Sequence, residues 1–203
     1  MKKIKILLLA AALLGAPAAF AQQDWTAGVG YAATSFSGVD CSQFLASHPL
    51  NGFYAGVSHE FYFSALAGLT LEPGLRFYYQ SGRNDTLNAP SKYIKMHYIS
   101  LPVDVKYSFG LSGSLMGSVF TGPVFNVGVM GNLFEKGTFV KTKDLVDPTR
   151  QLTRVNAQWN FGAALTLAEA VQLRIGYALG LSRLIPEQDL HNNTFTVGLG
   201  LLF

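Results

Sequence analysis

Tyr98-Ile-Ser-Leu-Pro-Val-Asp-Val-Lys-Tyr-Ser-Phe109 alternates along its whole length. Ile99, Leu101, Val103, Val105, Tyr107 and Phe109 share one face of an extended chain, and Tyr98, Ser100, Pro102, Asp104, Lys106 and Ser108 share the other, because strand side chains repeat every two residues. Strands of soluble sandwiches alternate too, but commonly run only ~5–6 residues. A strand that crosses a bilayer needs roughly 9–11 tilted residues, with aromatic side chains at the interface. The stretch therefore predicts one stave of a barrel in lipid, entered near Lys92 or Tyr93.

Outward from it, the same pattern recurs. Near the front, Trp25, Ala27, Val29, Tyr31 and Ala33 oppose Thr26, Gly28, Gly30, Ala32 and Thr34, a small-residue row that lets a narrow barrel close. Further strands are predicted over 51–63, 68–80, 114–130, 153–167, 171–182 and 194–203. The contrast is sharpest in 153–167, where Trp159, Phe161 and Leu165 alternate with Gln158, Asn160 and Thr166. The connections at 35–50, 81–91, 131–152 and 183–193 are long and polar, while those at 64–67, 110–113 and 168–170 are short. This predicts an all-β fold, an eight-stranded antiparallel transmembrane up-and-down β-barrel with short periplasmic turns, long external loops and periplasmic termini. A soluble sandwich or lipocalin-like barrel would need the alternate row as its water-facing surface, and that row is too small and too sparsely charged. Pro102 and Pro123 interrupt strand patterns, and a bulge is expected at one or both.

At the front, Lys2, Lys3 and Lys5 precede an apolar stretch from Ile6 to Leu14 and an Ala19-Phe20-Ala21 cleavage pattern. Residues 1–21 are expected to be a cleavable signal peptide and residues 22–203 the barrel domain. Those three lysines carry the whole formal charge of +3, so the remainder balances its 12 acidic side chains with as many basic ones. Such a neutral chain lacks the clustered positive charge that binds nucleic acid. Hydrophobic residues make up 49% of the chain, yet no apolar run of ~18 residues follows Ala21. Cys41 is the sole cysteine, so no intrachain disulfide forms; it falls in a predicted loop.

The Tyr98–Tyr107 stretch with its Leu-Pro centre, Leu173-Arg-Ile-Gly-Tyr177 and the terminal Val197-Gly-Leu-Gly-Leu-Leu-Phe203 together resemble the small outer-membrane β-barrel domain family, the PorT-like group of porin-family annotations. The resemblance implies a place in the outer membrane of a Gram-negative-type envelope, with membrane lipid around the barrel. It also implies that the last strand, ending in Phe203, is read by the barrel insertion machinery. It implies no single activity, because a fold does not determine a function.

Six charged residues fall on predicted inner rows close to the periplasmic turns: Glu60, Glu72, Asp104, Lys106 and Arg174, with Arg76 one layer higher. Charges withdrawn from water must pair, and eight strands leave just enough width for side chains to fill the lumen. A polar plug is expected, giving a structural or porin-like role; the rival is a small pore gated by exchange of these pairs. No catalytic residue, cofactor or metal site is expected. Some small outer-membrane barrels modify lipid A with a histidine and a serine or acid. Here His59 faces away from Ser58 and Glu60, His97 away from Ser100, and His191 lies beside Asn192 and Asn193 with no matching serine and acid. Four scattered histidines form no ligand pattern. The 131–152 loop, with mixed charge and Phe134 and Phe139, is the candidate for an extracellular partner or adhesive contact.

Overall fold

A computed structural model describes residues 24–38, 49–63, 66–84, 92–135, 141–144, 153–184 and 189–203; the leader, Cys41, His48, Phe139 and much of the 131–152 loop lie outside them. The strands are β1 (Trp25–Gly38), β2 (Leu50–His59), β3 (Phe61–Tyr62), β4 (Leu69–Asn84), β5 (Lys92–Ser112), β6 (Leu115–Glu135), β7 (Lys141–Asp144), β8 (Val155–Leu167), β9 (Val171–Gly180) and β10 (Leu190–Leu202). Strands β2 and β3 form one stave broken at Glu60, and β7 pairs only with the outer end of β6. Eight antiparallel staves remain, and β1 closes the ring against both β2 and β10. The seam ends in a reciprocal pair of bonds, from the Trp25 amide to the Phe203 carbonyl at 3.1 Å and back at 2.9 Å.

Alternation sorts the side chains as expected of a membrane barrel and opposite to a soluble one. Val29, Leu199 and Phe161 project outward, at 62%, 58% and 43% exposure, whereas Gln80 and Asp104 are wholly buried. Aromatic side chains gather at both ends of this apolar band. Trp25 meets His59 edge-on at 4.7 Å near the termini, and Phe53, Tyr79 and His97 cluster at the opposite end, with centroids 5.0–5.3 Å apart. Their amphipathic rings suit the boundary between headgroups and hydrocarbon.

Two expectations change. Neither proline carries a bulge: β4 and β5 keep one register from Pro73 opposite Val103 to Arg76 opposite Ser100, and β8 pairs continuously through Pro123 opposite Trp159. Gly74 supplies the room at Pro102, since a β-carbon there would stand 3.1 Å from the proline ring. The register shifts of the β5–β6 pair fall instead between His97 and Tyr98, opposite the Gly128 to Met130 segment of β6, and between Gly110 and Ser112 at the short turn. The strands also outrun the predicted loop boundaries. Polar residues blur the alternation beyond Gln80 and Met130, yet β4 continues to Asn84 and β6 to Glu135, because a ladder needs only backbone groups once its neighbour is held in place. At ~3.4 Å per residue, the 21 residues of β5 and of β6 reach well past an apolar band about 25 Å tall. β5 and β6 form a ribbon beyond the outer rim, flanked by the end of β4, which pairs with β5 as far as Asn84 opposite Lys92, and by β7 along the β6 edge.

Candidate functional site

The six charged residues converge in the terminal-side half of the lumen. Glu72 and Asp104 sit opposite each other on β4 and β5, and Arg174 on β9 reaches across the barrel to both. Its Nη1 donates to Glu72 Oε1 and Oε2 at 2.7 and 2.9 Å, and its Nη2 donates to Asp104 Oδ2 at 2.6 Å. Ser58 Oγ donates to Glu72 Oε1 at 2.7 Å, and Asn160 Nδ2 to Asp104 Oδ1 at 3.1 Å. Lys106 Nζ binds Glu60 and lies 3.7 Å from Glu72 Oε2. Arg76, higher on β4, is held more loosely, 3.9 Å from Asp104 Oδ2. All six are inward because each occupies the inner parity of its strand; the break at Glu60 keeps that carboxylate turned to the axis beside Lys106.

Aromatic faces complete the cation cage. The Arg174 guanidinium lies 3.7 Å from the Phe120 ring centroid and that of Arg76 lies 5.8 Å from Tyr54, distances at which a ring quadrupole attracts a cation. Tyr54, Tyr78 and Tyr98 stand directly opposite one another on β2, β4 and β5 and stack, with centroids 5.3 and 4.6 Å apart. All three were legible as inner-row residues, but their stacking follows from register, which a single sequence does not reveal. Above them lies a layer of amides and hydroxyls: Asn126 donates to Gln158, Gln158 to the Asn192 carbonyl, and Thr34 and Thr194 share a bond of 2.9 Å.

The histidines occupy other places. His59 packs between Trp25 and Phe61 on the outer face, while Ser58 and Glu60 are buried inside. His97 packs against Phe77 and Tyr79, away from Ser100. His191 has an acid partner that spacing alone did not suggest: its Nε2 lies 3.2 Å from Asp189 Oδ1, and Arg183 Nε donates to the same oxygen at 3.2 Å. The other ring nitrogen faces the Ser182 carbonyl at 3.1 Å, and the Ser182 hydroxyl instead accepts the Ala157 amide. The hydrogen bonds from His191 and Arg183 hold the Asp189 carboxyl below the usual aspartate range. No group of three or more potential metal-ligating side chains gathers among the described residues.

Comparison with known proteins places this architecture. The outer membrane protein beta-barrel domain family matches residues 20–185. No curated protein sequence matches the chain. Among solved structures, the outer membrane enzyme PagL is similar with a TM-score of 0.50 at 15% identity, over 85% of this chain and 97% of that one. Ail, the attachment invasion locus protein of Yersinia pestis, is similar with a TM-score of 0.49 at 12% identity, over 90% and 99%. Neisserial surface protein A gives 0.49 at 13%, over 88% and 97%. At these identities the likeness is one of fold. The family match spans most of the chain, so this protein belongs to the outer membrane protein beta-barrel domain family and resides in the lipid bilayer of the cell outer membrane.

Proposed function

We propose that the protein is a structural, non-conducting outer-membrane barrel whose lumen is plugged by the Glu60, Glu72, Arg76, Asp104, Lys106 and Arg174 network, and that it catalyses no reaction. One observation carries this reading: three acids and three bases pair across the axis, and the cavities around them are small. Those beside Arg76 hold about 30 and about 10 Å³, room for a few waters at most. The Ser182, His191 and Asp189 geometry supports the absence of catalysis, since the imidazole meets a serine carbonyl and not its hydroxyl. Planar-bilayer recordings test the plug. The parent is expected to be silent, with small intermittent openings in Arg76→Ala and Glu72→Ala; a steady current from the parent rejects the proposal. Unchanged lipid A mass spectra in cells with and without the gene are expected from a non-enzyme.

A second reading, contact with an extracellular partner, is favoured by the β5–β6 ribbon, which exposes Val129 and Met130 near its outer part. Deleting 136–150 and measuring cell adhesion tests it. The biogenesis proposals are removal of residues 1–21 and reading of the Phe203 strand by the insertion machinery. Mature N-terminal sequencing and the insertion yield of Phe203→Ala test these.

A further inference from the structure

A groove runs over the outer face of the barrel close to the short turns, and strand register explains it. Phe109, Gly117, Leu165 and Leu173 stand side by side on β5, β6, β8 and β9, and Val119, Ala163 and Ile175 form the next row on the last three of those strands. Gly117 and Ala163 are therefore diagonal neighbours with almost no side chain, ringed by large ones. Phe109 and Leu111 lean over Gly117, where a β-carbon would stand 2.9 Å from the ring, and build one wall; Leu165, Leu173 and Ile175 build the other. The groove measures about 330 Å³, against about 30 and about 10 Å³ for the cavities beside Arg76. It is more than twice the size of a ~150 Å³ cavity that holds benzene.

Leu111 and Leu167 are exposed and carry the apolar surface down to the turns, so the groove lies inside hydrocarbon. Water finds no partner in it, because the one hydroxyl of its lining, Ser118, is buried and bonded to Ser108. A second barrel seated there gains no hydrophobic driving force, since lipid chains are as apolar as leucine, whereas a flexible acyl chain conforms to the irregular floor. The turns beneath supply polar groups for a head. Turns 110–113 and 168–170 are tied together by the Ala168 amide, which donates to the Ser114 carbonyl at 2.8 Å. Ser112 and Ser114 are exposed on one side and Glu169 on the other. Glu169 is the one charged residue in the short turns 64–67, 110–113 and 168–170, and it has no ion-pair partner among the described residues. Its φ of 56°, beside 49° at Ala168, is left-handed. Glycine or asparagine holds such a turn with less strain, so turn geometry does not call for a glutamate.

We propose that the groove and the two turns beneath it hold one phospholipid with a primary ammonium head, a phosphatidylethanolamine, from the leaflet at the short turns. One acyl chain lies against Gly117 and Ala163, the phosphate accepts from Ser112 and Ser114, and the ammonium donates to the Glu169 carboxylate. Phosphatidylglycerol offers the same chains but no cation, and its net negative charge is repelled by Glu169. The site is on the lipid face and does not depend on whether the lumen conducts.

The test is native mass spectrometry of the protein released from nanodiscs of equal parts phosphatidylethanolamine and phosphatidylglycerol with identical acyl chains. One retained phosphatidylethanolamine is expected, favoured over phosphatidylglycerol about two- to fivefold, the factor an exposed ion pair supplies. Glu169→Gln should level the two lipids, and Glu169→Lys should reverse their order. Ala163→Phe fills the groove without touching the turns and should abolish retention of either lipid, while the heat-dependent gel mobility of a folded barrel stays unchanged. Equal retention of both lipids by the parent overturns the proposal. So does retention that Ala163→Phe leaves intact, which signals surrounding lipid only, or a lipid-free dimer that Ala163→Phe disrupts, which makes a second copy the occupant.

Discussion

Arg174 is the residue on which the lumen's electrostatics turn. Its guanidinium is fixed in plane by Glu72 and Asp104 and covered on one face by Phe120. Replacing it with Met leaves two buried carboxylates short of a partner, and breaking a buried pair in this way costs about 3–5 kcal/mol. Urea unfolding of Arg174→Met in lipid vesicles should show that loss. Pairing the change with Glu72→Leu should restore part of it, because one of the stranded charges is then gone as well. The Asp189, His191 and Arg183 contact behaves differently because it is exposed to water. A carboxyl held below its ordinary 3.8 stabilises the folded loop above that value and loses the contribution as pH falls through the lowered one. Amide protection factors at 182–184 and 189–191 should therefore fall as pH drops below 3.8 while the barrel strands stay protected.

At the scale of elements, the β1–β10 seam depends on glycine. Gly28 faces Gly200 and Gly30 faces Gly198 across it, and the Tyr54 ring lies over this bare backbone. A β-carbon at Gly30 would stand 2.3 Å from the Val197 carbonyl oxygen and 2.6 Å from the Tyr54 ring, so this position cannot accept even alanine without displacement. Gly30→Ala should lose about 1–3 kcal/mol, as overpacked sites do, whereas Gly110→Ala, with nothing nearby, should stay within about 0.5 kcal/mol of the parent. Measured side by side in urea, the two separate loss of close approach from loss of a glycine. The outer ribbon is energetically distinct from the seam: β6 pairs with β8 only as far as Val127 opposite Val155. Excising 132–150 should leave the urea midpoint and the heat-dependent gel mobility of the barrel unchanged.

For the molecule as a whole, the bilayer inverts the usual arrangement of a folded protein. The apolar surface that a soluble protein would bury stays exposed to lipid. What the barrel buries is a column of paired charges, stacked tyrosines and amides, capped by Leu50, Ile94, Leu184 and Leu190 at its outer end. On the proposed plug, stability and permeability are coupled, since the interactions that hold the interior together also fill the route across it. Variants that loosen the charge layer should lower the urea midpoint and raise conductance together, while Gly30→Ala should lower the midpoint with less effect on current. Recordings made on the same preparations used for unfolding check that correlation.

Parity along each strand was readable from the residues alone. The alternation that sent Phe161 outward and Asn160 inward, and the long and short connections that counted eight staves, are local properties of a chain with a two-residue repeat. The inward aim of Glu60, Glu72, Arg76, Asp104, Lys106 and Arg174 belongs to the same kind of information. Strand ends past Gln80 and Met130 were not readable, because polar ribbon strands in water carry no hydrophobic rhythm, and a glycine opposite Pro102 replaced the expected bulge. Partnership was decided only when the sheet closed: Arg174 meets Asp104, and Tyr78 stacks between Tyr54 and Tyr98. The reason is that parity is set by the geometry of one strand, whereas contact across a lumen depends on the stagger between strands, which eight mutual registers determine together.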